Sequence, residues 1–119
     1  MPVSDFIQIG TKSVQIKRAA IAADVVGNNT IVAAVPGARI RVLALFLVNL
    51  TAGGTIVFED GAGGADLTGV MGFGGNGQLL LTFNPGGWFQ TSVATLLNAV
   101  TTGASNTLRG CLTYIETAD

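Results

Sequence analysis

The sequence predicts an all-β fold, an antiparallel β-sandwich of about eight strands with a jelly-roll-like character. Three observations predict it. Apolar residues alternate with polar ones over short runs and rarely take the i, i+3, i+4 spacing of an amphipathic helix. Glycine, at 17 of 119 positions, joins Asn and Pro-Gly pairs to break those runs at the roughly 8–12-residue spacing of short paired strands. The longest run, Arg39 to Thr51, is apolar at both odd and even positions in its middle, so its strand needs cover on both faces.

The elements follow in order. The first dozen residues, MPVSDFIQIGTK, lack clear patterning and read as an N-terminal arm reaching a neighbouring chain, leaving residues 13–119 as one sandwich domain. A first strand is expected around Ser13 to Ile21, where Val14 and Ile16 alternate with Gln15 and Lys17. A Gly27-Asn28-Asn29 turn then leads into the strand TIVAAV, which Pro36-Gly37 closes. Along Arg39 to Thr51 one face carries Ile40, Val42, Ala44, Phe46, Val48 and Leu50, and the other Arg39, Arg41, Leu43, Leu45, Leu47 and Asn49. Ala52-Gly53-Gly54 turns the chain into TIVFED, and the loop GAGGAD precedes a short strand near Leu67 to Met71. QLLLTFN follows, then the turn Pro85-Gly86-Gly87 before Trp88-Phe89-Gln90. Ala94 to Thr101 reads as a strand or a single helical turn, and Thr107 to Thr117 as the final strand, with Leu108, Leu112 and Tyr114 on one face.

Composition restricts the function classes. Hydrophobic residues make up 49% of the chain and charged ones only 11%, against roughly 25% charged in an ordinary soluble domain. A domain of this size has much surface for its volume, so the balance predicts apolar surface that neighbouring chains cover. Leu43, Leu45, Leu47, Trp88 and Phe89 are the expected subunit-interface residues. The longest apolar run is too short for a spanning helix, which needs about 20 residues, so no membrane partner is expected. The opening has no basic segment leading into an apolar run, so a secretory signal is not expected and the protein reads as soluble. A net charge of −1 argues against nucleic acid. Five of the six bases, Lys12, Lys17, Arg18, Arg39 and Arg41, lie in the first 41 residues, a cluster that could dock on an acidic surface or simply face water.

Chemical motifs are sparse. Gly72 to Gly77, GFGGNG, fits the G-x-G-x-x-G spacing of dinucleotide-binding turns. It is followed by the β run QLLLTF instead of a helix start, and no acid lies between Asp66 and Glu116, so it reads as a glycine hairpin loop. The absence of histidine removes the serine triad, the Cys-His dyad and histidine-ligated zinc. Glu59 and Asp60 are adjacent on a strand and face opposite ways, which does not suit paired-carboxylate hydrolysis. The loop DGAGGAD matches one unit of a calcium-binding β-roll imperfectly and occurs once, so it reads as a solvated loop. Cys111 is the single cysteine and reads as a small buried hydrophobe. No catalytic, cofactor or metal residues are assigned, and an enzyme is not expected. Trp88 and Phe89, one ring inward and one outward, could instead offer a sugar platform flanked by Asn84 and Gln90.

From Ile40 onward the run IRVLALFLVNLTAGGTIVFEDGAGGADLTG, then GGNGQLLLTFNPGGWFQT and a final GCLTYIE, resembles small structural proteins of tailed-bacteriophage virions, in particular β-sandwich capsid decoration or cement proteins. The resemblance covers about the last two thirds of the chain. It implies a protein made in the host cytoplasm that sits on the outer capsid surface, often as a trimer, bound to the major capsid protein. Lys12, Lys17, Arg18, Arg39 and Arg41 would then be the capsid-docking residues. The alternatives are a tail, fibre-base or head-fibre component and, from a different class, a carbohydrate-binding module for host attachment.

Overall fold

A computed structural model describes residues 5–23, 25–50, 53–102 and 107–118. Within them run ten strands: β1 (Asp5–Ile9), β2 (Lys12–Ala23), β3 (Gly27–Val32), β4 (Arg39–Asn49), β5 (Thr55–Asp60), β6 (Met71–Gly72), β7 (Gln78–Leu81), β8 (Phe89–Gln90), β9 (Leu97–Thr102) and β10 (Leu108–Thr117). All pairings are antiparallel. The large sheet has the order β1-β2-β10-β4-β7, with β8 also on β4, and the small sheet β3-β9-β5-β6. From β2 onward the chain crosses repeatedly between sheets, setting β2, β10, β4 and β7 against β3, β9, β5 and β6. That order is the double Greek key of a jelly roll.

Alternation builds the core between the sheets. Ile21, Ala23, Ile40, Val42, Leu45, Leu47, Leu108 and Leu112 of the large sheet meet Val32, Ile56, Phe58, Leu97 and Ala99 of the small one. Phe89 reaches in from β8, with its ring 5.3 Å from that of Phe58. Gly110 allows the closest strand approach: a Cβ there would lie 1.8 Å from the Phe46 carbonyl oxygen.

The central finding is a bulge in β4. Thr113 of β10 lies opposite Ala44 but Tyr114 opposite Val42, so Leu43 has no partner in the ladder. A bulge shifts the two-residue alternation by one. Before it Ile40 and Val42 face the core, and after it Leu45, Leu47 and Asn49 do. The unbroken alternation expected from the sequence would have put these two groups on opposite faces. Leu43, Leu45 and Leu47 are all buried within this one chain, so they are not the exposed interface residues the sequence suggested.

Other expectations change at strand ends. Gly27, Asn28 and Asn29 belong to β3, which stops at Val32; the Asn29 amide bonds back to both N–H and C=O of Val25 and closes the turn there. The expected strand near Leu67 reduces to one bridge, Glu59 opposite Asp66, before the two-residue β6. GFGGNG joins β6 to β7, which lie in different sheets, and so is a crossover loop. Its end is tied to β4: Asn49 N–H donates to Gly77 O at 2.9 Å and Asn76 N–H to Asn49 O at 2.8 Å. Ala94 to Thr101 resolves into the strand β9 from Leu97. The segment expected to be an unpatterned arm contains β1, hairpinned onto β2 through a turn at Gly10.

Candidate functional site: the outer face of the large sheet

Strand registers place Ala20, Cys111, Phe46 and Leu80 in one row across β2, β10, β4 and β7, on the face turned away from the core. The row on one side holds Arg18, Thr113 and Ala44, and the row on the other Ala22, Arg109, Val48 and Gln78. An open groove of about 280 Å³ runs along this face, walled by Ala44, Phe46, Leu80, Phe83 and Cys111. Phe46, Leu80, Phe83 and Trp88 are 39%, 66%, 53% and 46% exposed. At those exposures the four side chains present about 400 Å² of apolar surface, at the scale of the largest patches on ordinary monomers.

Most of the cations share the side of the sheet that carries this strip. Alternation from Ile40 and Val42 puts Arg39 and Arg41 on the outer face, and alternation along β2 adds Lys12 to Arg18. With Arg109, five of the six bases share one face. Arg41 is held by its Nε–H donating to Gln90 Oε1 at 2.9 Å, and a Cβ on Gly87 would strike its side chain at 2.5 Å. Arg39 is half-buried, with Nη1 donating to Thr91 O at 3.4 Å.

Lys17 departs from the expected set. It points to the opposite face from its neighbour Arg18, where it pairs with Glu116. That hydrogen bond raises the Lys17 pKa above its ordinary value, against a smaller opposing effect of burial. Tyr114, opposite Lys17, packs on the core, and burial followed by the Glu116 charge raises its phenol pKa.

Cys111, expected to be buried, and Phe89, expected at a subunit interface, also differ from expectation. Cys111 is exposed on the β10 wall of the groove, because the alternation that sends Leu108, Leu112 and Tyr114 inward sends it outward. Trp88 and Phe89 divide as alternation requires: Phe89 joins the core, and Trp88 stays outside with its Nε1–H donating to Thr82 O at 2.8 Å. Arg109 was missed because it stands alone in the last third of the sequence, and only the β10 register brings it beside Val48.

The small sheet has a different outer face. Thr30, Asn98, Glu59 and Asp66 form a row across it. Asn98 donates to both Asn28 Oδ1 and Glu59 Oε1, at 3.0 and 3.2 Å. Asp60 lies at the end of β5, where its carboxylate accepts from the Ser92 N–H at 2.7 Å and from the Ser92 hydroxyl. Among the described residues no three acidic or cysteine side chains gather as a metal site. No helix there is long and apolar enough to cross a membrane. Compared with known proteins, the chain matches no family model, no curated protein and no solved structure.

Proposed function

We propose that the protein is a non-catalytic virion structural protein of the decoration type, which docks through the outer face of its large sheet onto an acidic surface of the major capsid protein. One observation carries the docking surface: Arg18, Arg39, Arg41 and Arg109 share one face of the large sheet with an exposed apolar strip, and Lys12 lies farther along β2 on the same side. Burying the strip supplies non-directional attraction, and the surrounding cations select an anionic partner and fix register. The virion assignment rests on the sequence resemblance, and by analogy only on the fold, since jelly rolls recur in viral capsid and lectin domains. On this reading the protein works on the outer capsid surface as a homo-oligomer, after synthesis in the host cytoplasm, without membrane or nucleic-acid partners.

The test is attachment to purified capsids across a salt series. Reversing Arg18 and Arg109 to Glu is expected to weaken attachment at least 10-fold at low salt, with the gap narrowing as salt rises. Lys17→Gln, on the other face, should leave attachment within about twofold. Unchanged occupancy of the double variant at every salt concentration would discard the docking face. The outward Trp88 ring, held by its bond to Thr82, favours one second reading, a carbohydrate-binding module. Selective glycan-array binding lost in Trp88→Ala, with no capsid attachment, would put that reading first.

A further inference from the structure

β2 leaves β10 early. Its last partner there is Lys17, opposite Tyr114, so residues 5–16 continue as a two-stranded ribbon past the end of that pairing. Among the described residues β2 is the only strand partner of β1. A lone hairpin is marginal in water, and this one leaves Phe6 61% exposed.

The outer edge of β1 also lacks the usual protection against strand addition. Edges are normally blunted by shortness, bulges, proline or lysine. β6 and β8 have two residues each, and β3 carries a register shift between Thr30 and Val32. β1 has five consecutive regular pairs with β2, no proline and no lysine.

We infer that β1 of one copy pairs antiparallel with β1 of a second copy about a two-fold axis at Ile7, joining two large sheets edge to edge. An open row of backbone donors and acceptors is satisfied by another strand, and an identical strand meets that demand from both sides of a two-fold. This register uses the whole of β1, with Asp5 of each copy opposite Ile9 of the other and all five positions paired. Phe6 falls opposite Gln8 of the second copy. The ladder buries a few hundred Å², below the roughly 1,000 Å² of a stable free-standing interface. The dimer is therefore weak and concentration-dependent in solution, and firm only where a shared surface holds both copies. This inference gives the homo-oligomer of the proposed function its contact surface and rests on that reading for its role.

Sedimentation of the full chain from about 1 µM to 1 mM tests it. The wild type is expected to shift from monomer to dimer within that range. The double variant Phe6→Lys/Gln8→Lys sets like charges opposite each other in both cross-pairs, and should associate at least 10-fold more weakly. Phe6→Glu/Gln8→Glu should do the same, and an equimolar mixture of the two should regain wild-type association. Unchanged thermal unfolding of each variant excludes a folding defect. A wild type that stays monomeric at 1 mM, variants that associate like wild type, or a mixture no tighter than its components would overturn the pairing. Phe6 and Gln8 lie off the docking face, so failure of the strand pairing with capsid attachment retained separates this inference from the proposed function.

Discussion

The outer faces of the two sheets differ in kind although one chain of net charge −1 supplies both. The large sheet shows a row of Ala20, Cys111, Phe46 and Leu80 bordered by cations, while the small sheet shows a row of Thr30, Asn98, Glu59 and Asp66 joined partly by amide hydrogen bonds. Average composition conceals this polarity. The large-sheet face leaves large apolar side chains in water, whereas Asn98 on the small-sheet face is buried beneath its own neighbours and donates to Asn28 and Glu59. The contrast separates an exposed apolar face from a polar one partly paired within the chain.

Both faces hang on the same core, so the largest effect should spare neither. Phe58→Ala removes a fully buried ring between the sheets and is expected to cost about 4 kcal/mol by chemical denaturation, with capsid attachment lost together with the fold. Selective loss of one face alone would show that the sheets are less interdependent than their shared core requires. Next in size is a paired substitution. Asn98→Ala removes the donor to Asn28 and Glu59 and should cost about 1–3 kcal/mol. Leu80→Ser, on the opposite outer face, should change stability by about 0.5 kcal/mol or less while weakening attachment. The reverse order of stabilities would break the contrast between the two faces.

The smallest effect concerns Tyr114 and Lys17, on the core side of the large sheet. Both pKa values are raised in the folded protein, so the folded state holds protons that the unfolded chain releases at high pH. Their contribution to stability is fully present below the ordinary values of the two groups and is lost as pH rises through the folded ones. Stability should therefore show no dependence on this pair from neutral pH to about pH 9.5 and fall above about pH 10. Tyr114 is the single tyrosine, so phenolate absorbance reports it directly. Its midpoint should lie above that of a free tyrosine and move down in Glu116→Gln, and a midpoint unmoved by that change would remove Glu116 as a cause.

Much of the fold was legible because local rules decided it. Alternation along Leu108 to Tyr114 and the opposed directions of Trp88 and Phe89 follow from strand geometry alone. The proposed docking face was only partly legible. Lys17 and Arg18 looked like one basic cluster, yet adjacent strand residues point apart, and a carboxylate 99 positions away claims the first. Arg109 had no local signal at all. Cys111 was misjudged from its apolar neighbours, although their alternation already placed it on the far side. The Leu43 bulge was hidden because an extra residue in a uniformly apolar run leaves no mark in the pattern.

The eleven residues of β4 run against ten of β10, and this surplus of one sets the character of the outer wall. Were the two strands matched residue for residue through that stretch, Phe46 and Val48 would line the interior, and Leu45, Leu47 and Asn49 would look out. A miscount of one along a single strand thus decides which half of its side chains a neighbour can touch, with no change in amino-acid identity anywhere.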